Sequence, residues 1–410
     1  MIQNSKIFFL AILSLFSVQF SKAQTADEQL ERIGLNTITT AVPFLLITPD
    51  SRSGAMGDVG VATSPDPISS YWNTSKAAFA KKDLGLAFSY VPWLRSIVPD
   101  INLVYLSGYK KVNKKGAITA SMRYFSLGEI NFTDEFGQPI QNVNPNEFAI
   151  GAGYAHQLSK KFSGGFSLKY LNSNLTQGVS VGGVEAKAAW AIAADLNGYY
   201  SSEVDLGDKD GEFSFGFNIQ NIGNKVAYSE SAERDFIPIN LKLGTGLKIA
   251  MDEFNQIGFY VDLNKLLVPT PPLYAKDNNG NLIYDANGEP EIEAGKNPAV
   301  SVPTGMIQSF YDAPGGAAEE FKEINWSIGT EYWYDEQFAV RLGYFYENPN
   351  KGNRQYLTMG VGIKYQVFNL DFSYLVPVNQ RSPLENTLRF TLAFDLDAVK
   401  ESTKGNSDTE

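Results

Sequence analysis

Cysteine is absent from this sequence and histidine occurs once, at His156. With no thiol there is no disulfide framework and no thiol nucleophile, so stability has to come from packing and backbone pairing. A basic excess is missing too: 34 Lys and Arg face 45 Asp and Glu, for a formal net charge of −11. That sign is wrong for a nucleic-acid footprint or for docking on an anionic surface through a basic patch, and no nucleic-acid partner is expected. Past the N-terminus there is also no run of 18 apolar residues, which excludes a membrane protein built of helices. A soluble enzyme or a β-barrel remains.

What is present starts with a leader. Lys6 precedes the apolar run Ile7 to Val18, and Ser21-Lys22-Ala23 stands before Gln24, the pattern of a signal peptide over residues 1–23. No Cys follows the cleavage site, so lipid attachment there is not expected. Thr25 to Thr40 is polar, with Leu30, Ile33 and Leu35 spaced for one short helix.

From Leu84 the apolar period becomes two. Leu84, Leu86, Phe88 and Tyr90 alternate with Gly85, Ala87 and Ser89, and Ile118, Ala120, Met122 and Tyr124 with Thr119, Ser121 and Arg123. Counting Ile101 to Tyr109 and eleven further segments, from Phe148–Tyr154 to Leu388–Phe394, gives fourteen expected strands. In a soluble sandwich the polar face would be mostly charged. Here it is Gly, Ala, Ser, Thr and Asn, with occasional charges: Arg123, Lys169, Asp195, Lys242, Lys248, Asp262, Glu331, Arg341, Asp371 and Arg389. Small and mixed-charge residues inside with Leu, Phe, Ile and terminal Tyr or Trp outside is the lumen-and-lipid division of a transmembrane barrel. Connection lengths agree, being short after even strands (Ser159-Lys160, Asp335-Glu336) and long after odd ones (Gly128 to Asn146, Lys265 to Lys322). The expected fold is therefore all-β, a 14-stranded antiparallel outer-membrane barrel over residues 83–396. An even strand count returns the C-terminus to the periplasm, where the N-terminal segment, residues 24–82, is also expected to start; the polar tail 397–410 is expected to be disordered.

Residues 43–80 stand apart from this pattern. They place Gly54, Gly57 and Gly60 close together, where a missing Cβ permits sharp turns or close backbone approach. Ser51-Arg52, Ala55-Met56-Gly57-Asp58-Val59-Gly60-Val61-Ala62, Asp66 and Asn73 resemble the entrance segment of FadL-like outer-membrane barrels. Asp58 stands where that pattern has glycine, and Thr74-Ser75 where it has Pro-Ala. The fuller string, Pro49-Asp50-Ser51-Arg52 with Met56-Gly57-Asp58, Thr63-Ser64-Pro65-Asp66 and Tyr71-Trp72-Asn73, is similar to one branch, the PorV family. The resemblance implies a segment folded into the barrel as a hatch, its motif being Ser51, Arg52, Gly54, Met56, Gly57, Asp58, Gly60, Asp66, Trp72 and Asn73. It also implies a non-enzymatic role, without cofactor, in type IX protein secretion at the outer membrane of a Gram-negative bacterium. The partners would be a large translocon barrel, cargo with a C-terminal signal domain, the surface sortase or attachment complex, and outer-membrane lipid.

Lumen charges of both signs either line a conduit or pair with one another and with the hatch. Pairing is expected, because unpaired charges in a narrow low-dielectric lumen are costly. Three outer loops are apolar and stiffened by proline, and apolar surface facing water marks a partner site. Their candidate contacts are Trp93, Leu94 and Ile97; Leu266, Leu267, Val268, Leu273 and Tyr274; and Met306, Ile307, Phe310 and Tyr311. His156 with Ser159 could form the base and nucleophile of a membrane lipase or deacylase, although an interfacial polar residue is the plainer reading; a role in lipopolysaccharide deacylation is an alternative that the family resemblance implies. Asp277-Asn278-Asn279-Gly280-Asn281 and Asp285-Ala286-Asn287-Gly288-Glu289 suggest calcium but fail the EF-hand spacing, and their Asn-Gly pairs flanking Leu282-Ile283-Tyr284 predict a surface hairpin. FadL-like uptake of a hydrophobic solute is a further alternative; it requires an apolar pocket beside the hatch and a gap in strand pairing.

Overall fold

The structure, a computed structural model, describes residues 34–95, 97–133, 136–178, 186–230, 232–379 and 382–397. The leader, the short helix expected near Leu30 and the tail from 398 onward lie outside the described residues. The described chain falls into two compact units.

The larger unit is a barrel. Its strands begin with β1 (Leu84–Pro92), β2 (Asn102–Lys111) and β3 (Gly116–Ser126), followed by a two-stranded excursion, β4 (Ile130–Thr133) and β5 (Pro139–Val143). Then come β6 (Asn146–Gln157), β7 (Phe162–Asn174), β8 (Ala189–Leu206), β9 (Lys209–Gly223), β10 (Asn240–Ala250) and β11 (Asn255–Leu266). The short β12 (Leu273–Tyr274) and β13 (Ile292–Ala294) pair with each other, and β14 (Asn325–Tyr334), β15 (Phe338–Tyr346), β16 (Gln355–Tyr365), β17 (Phe368–Pro377) and β18 (Leu388–Leu396) complete the ring. Fourteen antiparallel strands close on themselves, with β1 paired to β18 from Leu84↔Leu396 to Tyr90↔Phe390. Closure leaves no open edge, the condition for putting strands into hydrocarbon.

The period-two pattern sorts as the sequence dictates. Leu86, Phe88 and Tyr90 face outward, while Ala87 and Ser89 are buried. The same division runs around the wall, with Ile328, Leu342, Leu357 and Val361 outside and Ser327, Arg341, Thr358 and Arg389 inside. One junction is irregular. Opposite Asp195 of β8, the strand β9 carries an extra residue, and Asn221 there has φ 62°. The bulge is closed rather than open, because Asp195 accepts a hydrogen bond from the Asn221 N–H at 2.8 Å and pairs with Lys169 at 2.8 Å.

The segment from 41 to 80 lies inside the ring. Its inward neighbours come from strands all round the wall: Thr391 of β18, Thr358 of β16, Glu331 of β14, Asp262 of β11, Asn218 of β9, Asn197 of β8 and Ser163 of β7. Its direction differs from the expectation of a periplasmic start. The Ala41 N–H donates to Phe236 O in the long β9–β10 connection, and Phe44 stacks on Phe125 near the long-loop end of β3. At the other end, Ala77, Ala78 and Ala80 pack with Tyr109, Ala117 and Ala155, beside the short turns. The segment thus traverses the lumen from the long-loop rim to the short-turn rim. Strand parity fixes only the rim at which β1 begins, so this was not readable from the strand count.

The smaller unit comprises described residues up to 39, 266–324 and 347–353. Two short helices, Val302–Gln308 and Ala317–Lys322, stand within the connection that the sequence marked only as a long outer loop. Pro303 in the first turn of the first helix is the sequence signal for its start. Lys351 joins Glu319 and Glu323 at 2.5 and 2.9 Å, a buried triad.

Candidate functional site

Within the barrel the motif residues form a closed network. Asp50 caps the short helix Ser51–Gly54 by accepting from the Ser53 N–H at 2.8 Å, and its other oxygen accepts from Trp72 Nε1 at 2.7 Å. The Gly57 N–H donates to Thr358 Oγ1 at 2.8 Å. Gly57 has φ +70°, and an added Cβ would meet the Tyr344 backbone; Gly343 on the wall faces the Met56–Gly57 backbone as closely. Two glycines in contact let segment and wall touch main chain to main chain. The Gly60 and Val61 N–H groups share Asp262 Oδ2 at 2.8 and 3.0 Å. Asn73 donates to Val61 O and Gly198 O at 3.1 and 2.9 Å. Met56 is buried against Val59 and Tyr260.

The charges around Arg52 pair as expected. Arg52 grips Glu331 with two parallel bonds of 2.9 Å and reaches Asp66 at 2.9 Å. Glu331 also takes Arg341 Nε at 2.8 Å, and Arg341 Nη1 bonds Asp371 at 2.6 Å. Lys242 sits 4.3 Å from the Trp72 ring centroid, and Arg123 lies 4.6 Å from that of Tyr71. Arg123 further donates to the Phe44 and Leu45 carbonyls, both at 2.8 Å. Asp58, at the glycine position of the pattern, has φ 65° and accepts from the Tyr356 hydroxyl at 2.6 Å. The sequence reading missed Asp50, Asn197, Asn218 and Gln220 as anchors. Their only signal was polarity on an inward strand position or beside the motif.

The void beside this segment at Tyr71, Tyr105, Arg123 and Lys169 is ≈ 30 Å³. That is room for a water or two and far below the roughly 300 Å³ of a small-ligand pocket. The larger apolar hollow of ≈ 560 Å³, between Phe213, Phe259, Ile328 and Leu357, is lined by outward-facing side chains of the wall.

The outer-loop candidates separate by exposure. Trp93 and Leu94 fold down on Phe345, Tyr356, Leu375 and Leu384 at the barrel mouth, while Ile97 is exposed. Leu267 and Val268 are only 4% and 3% exposed, which corrects their place among the surface contacts. An apolar run beside a strand end fills space as readily as it meets a partner. Leu266, Leu273, Tyr274 and Met306 are half-buried. Ile307 at 64% exposed stands out beside Phe310 and Tyr311, and so does Phe321 at 73%, which the sequence reading did not name. In Tyr311 the ring carries Lys296 Nζ 3.8 Å from its centroid.

The catalytic pair is not assembled. His156 Nδ1 faces the Tyr154 hydroxyl at 3.1 Å, and Ser159 Oγ accepts from the Lys161 and Phe162 N–H groups of its own turn. Asp277 and Asp285 likewise spend their oxygens on the amides of their own turns, with Gly280 and Gly288 at φ +84° and +81°. Among the described residues no group of three His, Asp or Glu is placed to hold a metal.

A sequence profile described as type IX secretion system protein PorV matches residues 29–273, more than half of the chain. The chain belongs to the PorV family. Its members are type IX secretion components, and the closed barrel with a lipid-facing apolar wall puts this one in the outer membrane. No curated protein is significantly similar in sequence. Among solved structures the chain is similar to CymD, a monoaromatic hydrocarbon channel (14% identity, 86% of this chain and 98% of that one, TM-score 0.48). It is also similar to the Ralstonia pickettii toluene transporter TbuX (11%, 84% and 97%, 0.45) and to a Pseudomonas aeruginosa FadL homologue (9%, 88% and 99%, 0.40). At such identities and scores nothing about transport carries over to this family member.

Proposed function

We propose that this protein is a non-enzymatic shuttle of the type IX system. It binds the C-terminal signal domain of secreted cargo at the large translocon barrel and delivers it to the attachment complex at the cell surface. The observation that carries the reading is a lumen occupied by residues 41–80 and neutralised by the Arg52–Glu331–Arg341–Asp371 chain, so that work is left to the outer surface. The exposed Ile307, Phe310 and Phe321 supply apolar anchors there, and such anchors carry most of the energy of an interface. A barrel of this kind acts by what it holds outside rather than by what passes through it.

The test is an affinity pull-down of the tagged protein from its native outer membrane in detergent, read by mass spectrometry. Recovery of a very large barrel together with secreted proteins sharing a C-terminal domain is the expected result. Recovery of the barrel alone with bound fatty acid or other apolar solute would overturn the shuttle in favour of hydrophobic-solute uptake. Substituting Ile307, Phe310 and Phe321 by serine should leave insertion intact and reduce cargo or translocon recovery at least ~10-fold, the loss of one hot-spot side chain or more.

A further inference from the structure

We infer that the N-terminal arm, residues 34–40, lies on the cell-surface side of the outer membrane, opposite the end of β18, and is part of the outer face. The connections fix the orientation first. Between β2 and β3, β6 and β7, β8 and β9, β10 and β11, β14 and β15, and β16 and β17 the turns are two to four residues long, and the connections at the other rim are longer throughout. Short turns are periplasmic in bacterial barrels. β1 begins and β18 ends at the short-turn rim, and Lys82 pairs with Asp397 there at 2.7 Å.

The lumenal segment then sets the side of what precedes it. Lys111 Nζ donates to Ala80 O at 2.9 Å beside the first short turn, so residue 80 is at the periplasmic rim. Residues 41–45 are held at the opposite rim by Phe236 O, the Arg123 guanidinium and the Phe125 ring. From Ala41 back to Leu35 the chain reaches at most about 22 Å, short of the roughly 30 Å hydrocarbon core it would have to recross. The lumen behind it is also filled.

The arm is held independently of that path. The Asn36 N–H donates to Asn350 O at 2.9 Å, and Asn36 Nδ2 donates to Pro271 O at 3.2 Å and Glu319 Oε1 at 2.9 Å. Pro271 and Glu319 lie in the connection between β11 and β14, and Asn350 in that between β15 and β16. By the same count of turns, both are outer loops. Leu35 itself is 73% exposed, so the arm adds an apolar side chain to the unit that carries Ile307, Phe310 and Phe321. A partner that grips the arm is therefore an extracellular one.

The inference rests on the orientation of the barrel and not on the secretion role, so the two fail separately. Because the chain contains no cysteine, single substitutions report position without background. Leu35→Cys, Ala286→Cys in an outer loop and Glu253→Cys in a short turn would each be treated with a membrane-impermeant maleimide on intact cells and again after the outer membrane is permeabilised. Leu35→Cys is expected to label in intact cells as fully as Ala286→Cys, with Glu253→Cys gaining label only on permeabilisation. Labelling of Leu35→Cys in intact cells no higher than that of Glu253→Cys overturns the inference. If Leu35→Cys fails to reach the outer membrane, Thr39→Cys, also exposed, is judged by the same two comparisons.

Discussion

Asp58 shows how much one departure from a pattern can mean. A left-handed backbone costs a non-glycine residue roughly 1–2 kcal/mol, and aspartate tolerates it better than most. The Tyr356 hydroxyl at 2.6 Å and Arg389 at 3.8 Å offset that cost by using the carboxylate. Asp58→Gly should relax the backbone yet strand the buried Tyr356 hydroxyl, a net loss of about 1–3 kcal/mol. Asp58→Ala should lose more, since it keeps the strain and drops the partner. The mobility shift of folded against heated barrel on a gel, followed with temperature, ranks the two. Glu331→Gln is expected to be worse than either, by about 3–5 kcal/mol, because Arg52 and Arg341 both lean on that carboxylate. The sequence marked Asp58 as unusual and Glu331 as inward. It could not pair them with Tyr356 or Arg52, since those contacts join residues 298 and 279 positions apart.

Elements were legible where a period exists. Outward Leu, Phe and Tyr alternating with inward Gly, Ala and Ser gave the strands, and hydrophobic patterning has no comparable period in the connection between β11 and β14. Its two short helices went unread for that reason, as did the burial of Leu267 and Val268. The bulge at Asn221 also escaped, because one extra residue in a strand leaves the local composition unchanged. In that same outer connection Asp312 accepts from the Thr270 N–H at 3.2 Å, and burial, with Glu320 beside it, pushes its carboxyl up to about 6. The unfolded value is near 3.9. The folded unit therefore holds an extra proton between about pH 4 and 6, is steadier in that window's acid half, and loses this stability as pH rises through 6. Hydrogen exchange over residues 305–324 should quicken, beyond its intrinsic pH dependence, from pH 5 to 7.5, and Asp312→Asn should flatten the difference.

For the whole molecule, a wall read from the sequence and a filling inferred from resemblance have different standing. Fourteen strands could have enclosed water, and it is Arg52, Asp262, Asn73 and their partners that fill the ring. In planar bilayers the intact protein should give no steady conductance. Deleting residues 43–80 should give stable channel steps, or a barrel that no longer folds because Glu331 loses Arg52 and Asp262 loses the Gly60 and Val61 amides. Steady conductance from the intact protein would mean that the segment leaves the lumen readily.

A segment that enters at one rim and leaves at the other is threaded through the ring as a cord through a bead. It cannot be drawn out sideways or released by a hinge at one end. Force applied from the periplasm at Lys82 would have to drag every residue before Ala41 through the bore after it, and force applied from outside would meet the covalent start of β1. The two directions are mechanically unequal, a ratchet made by topology alone.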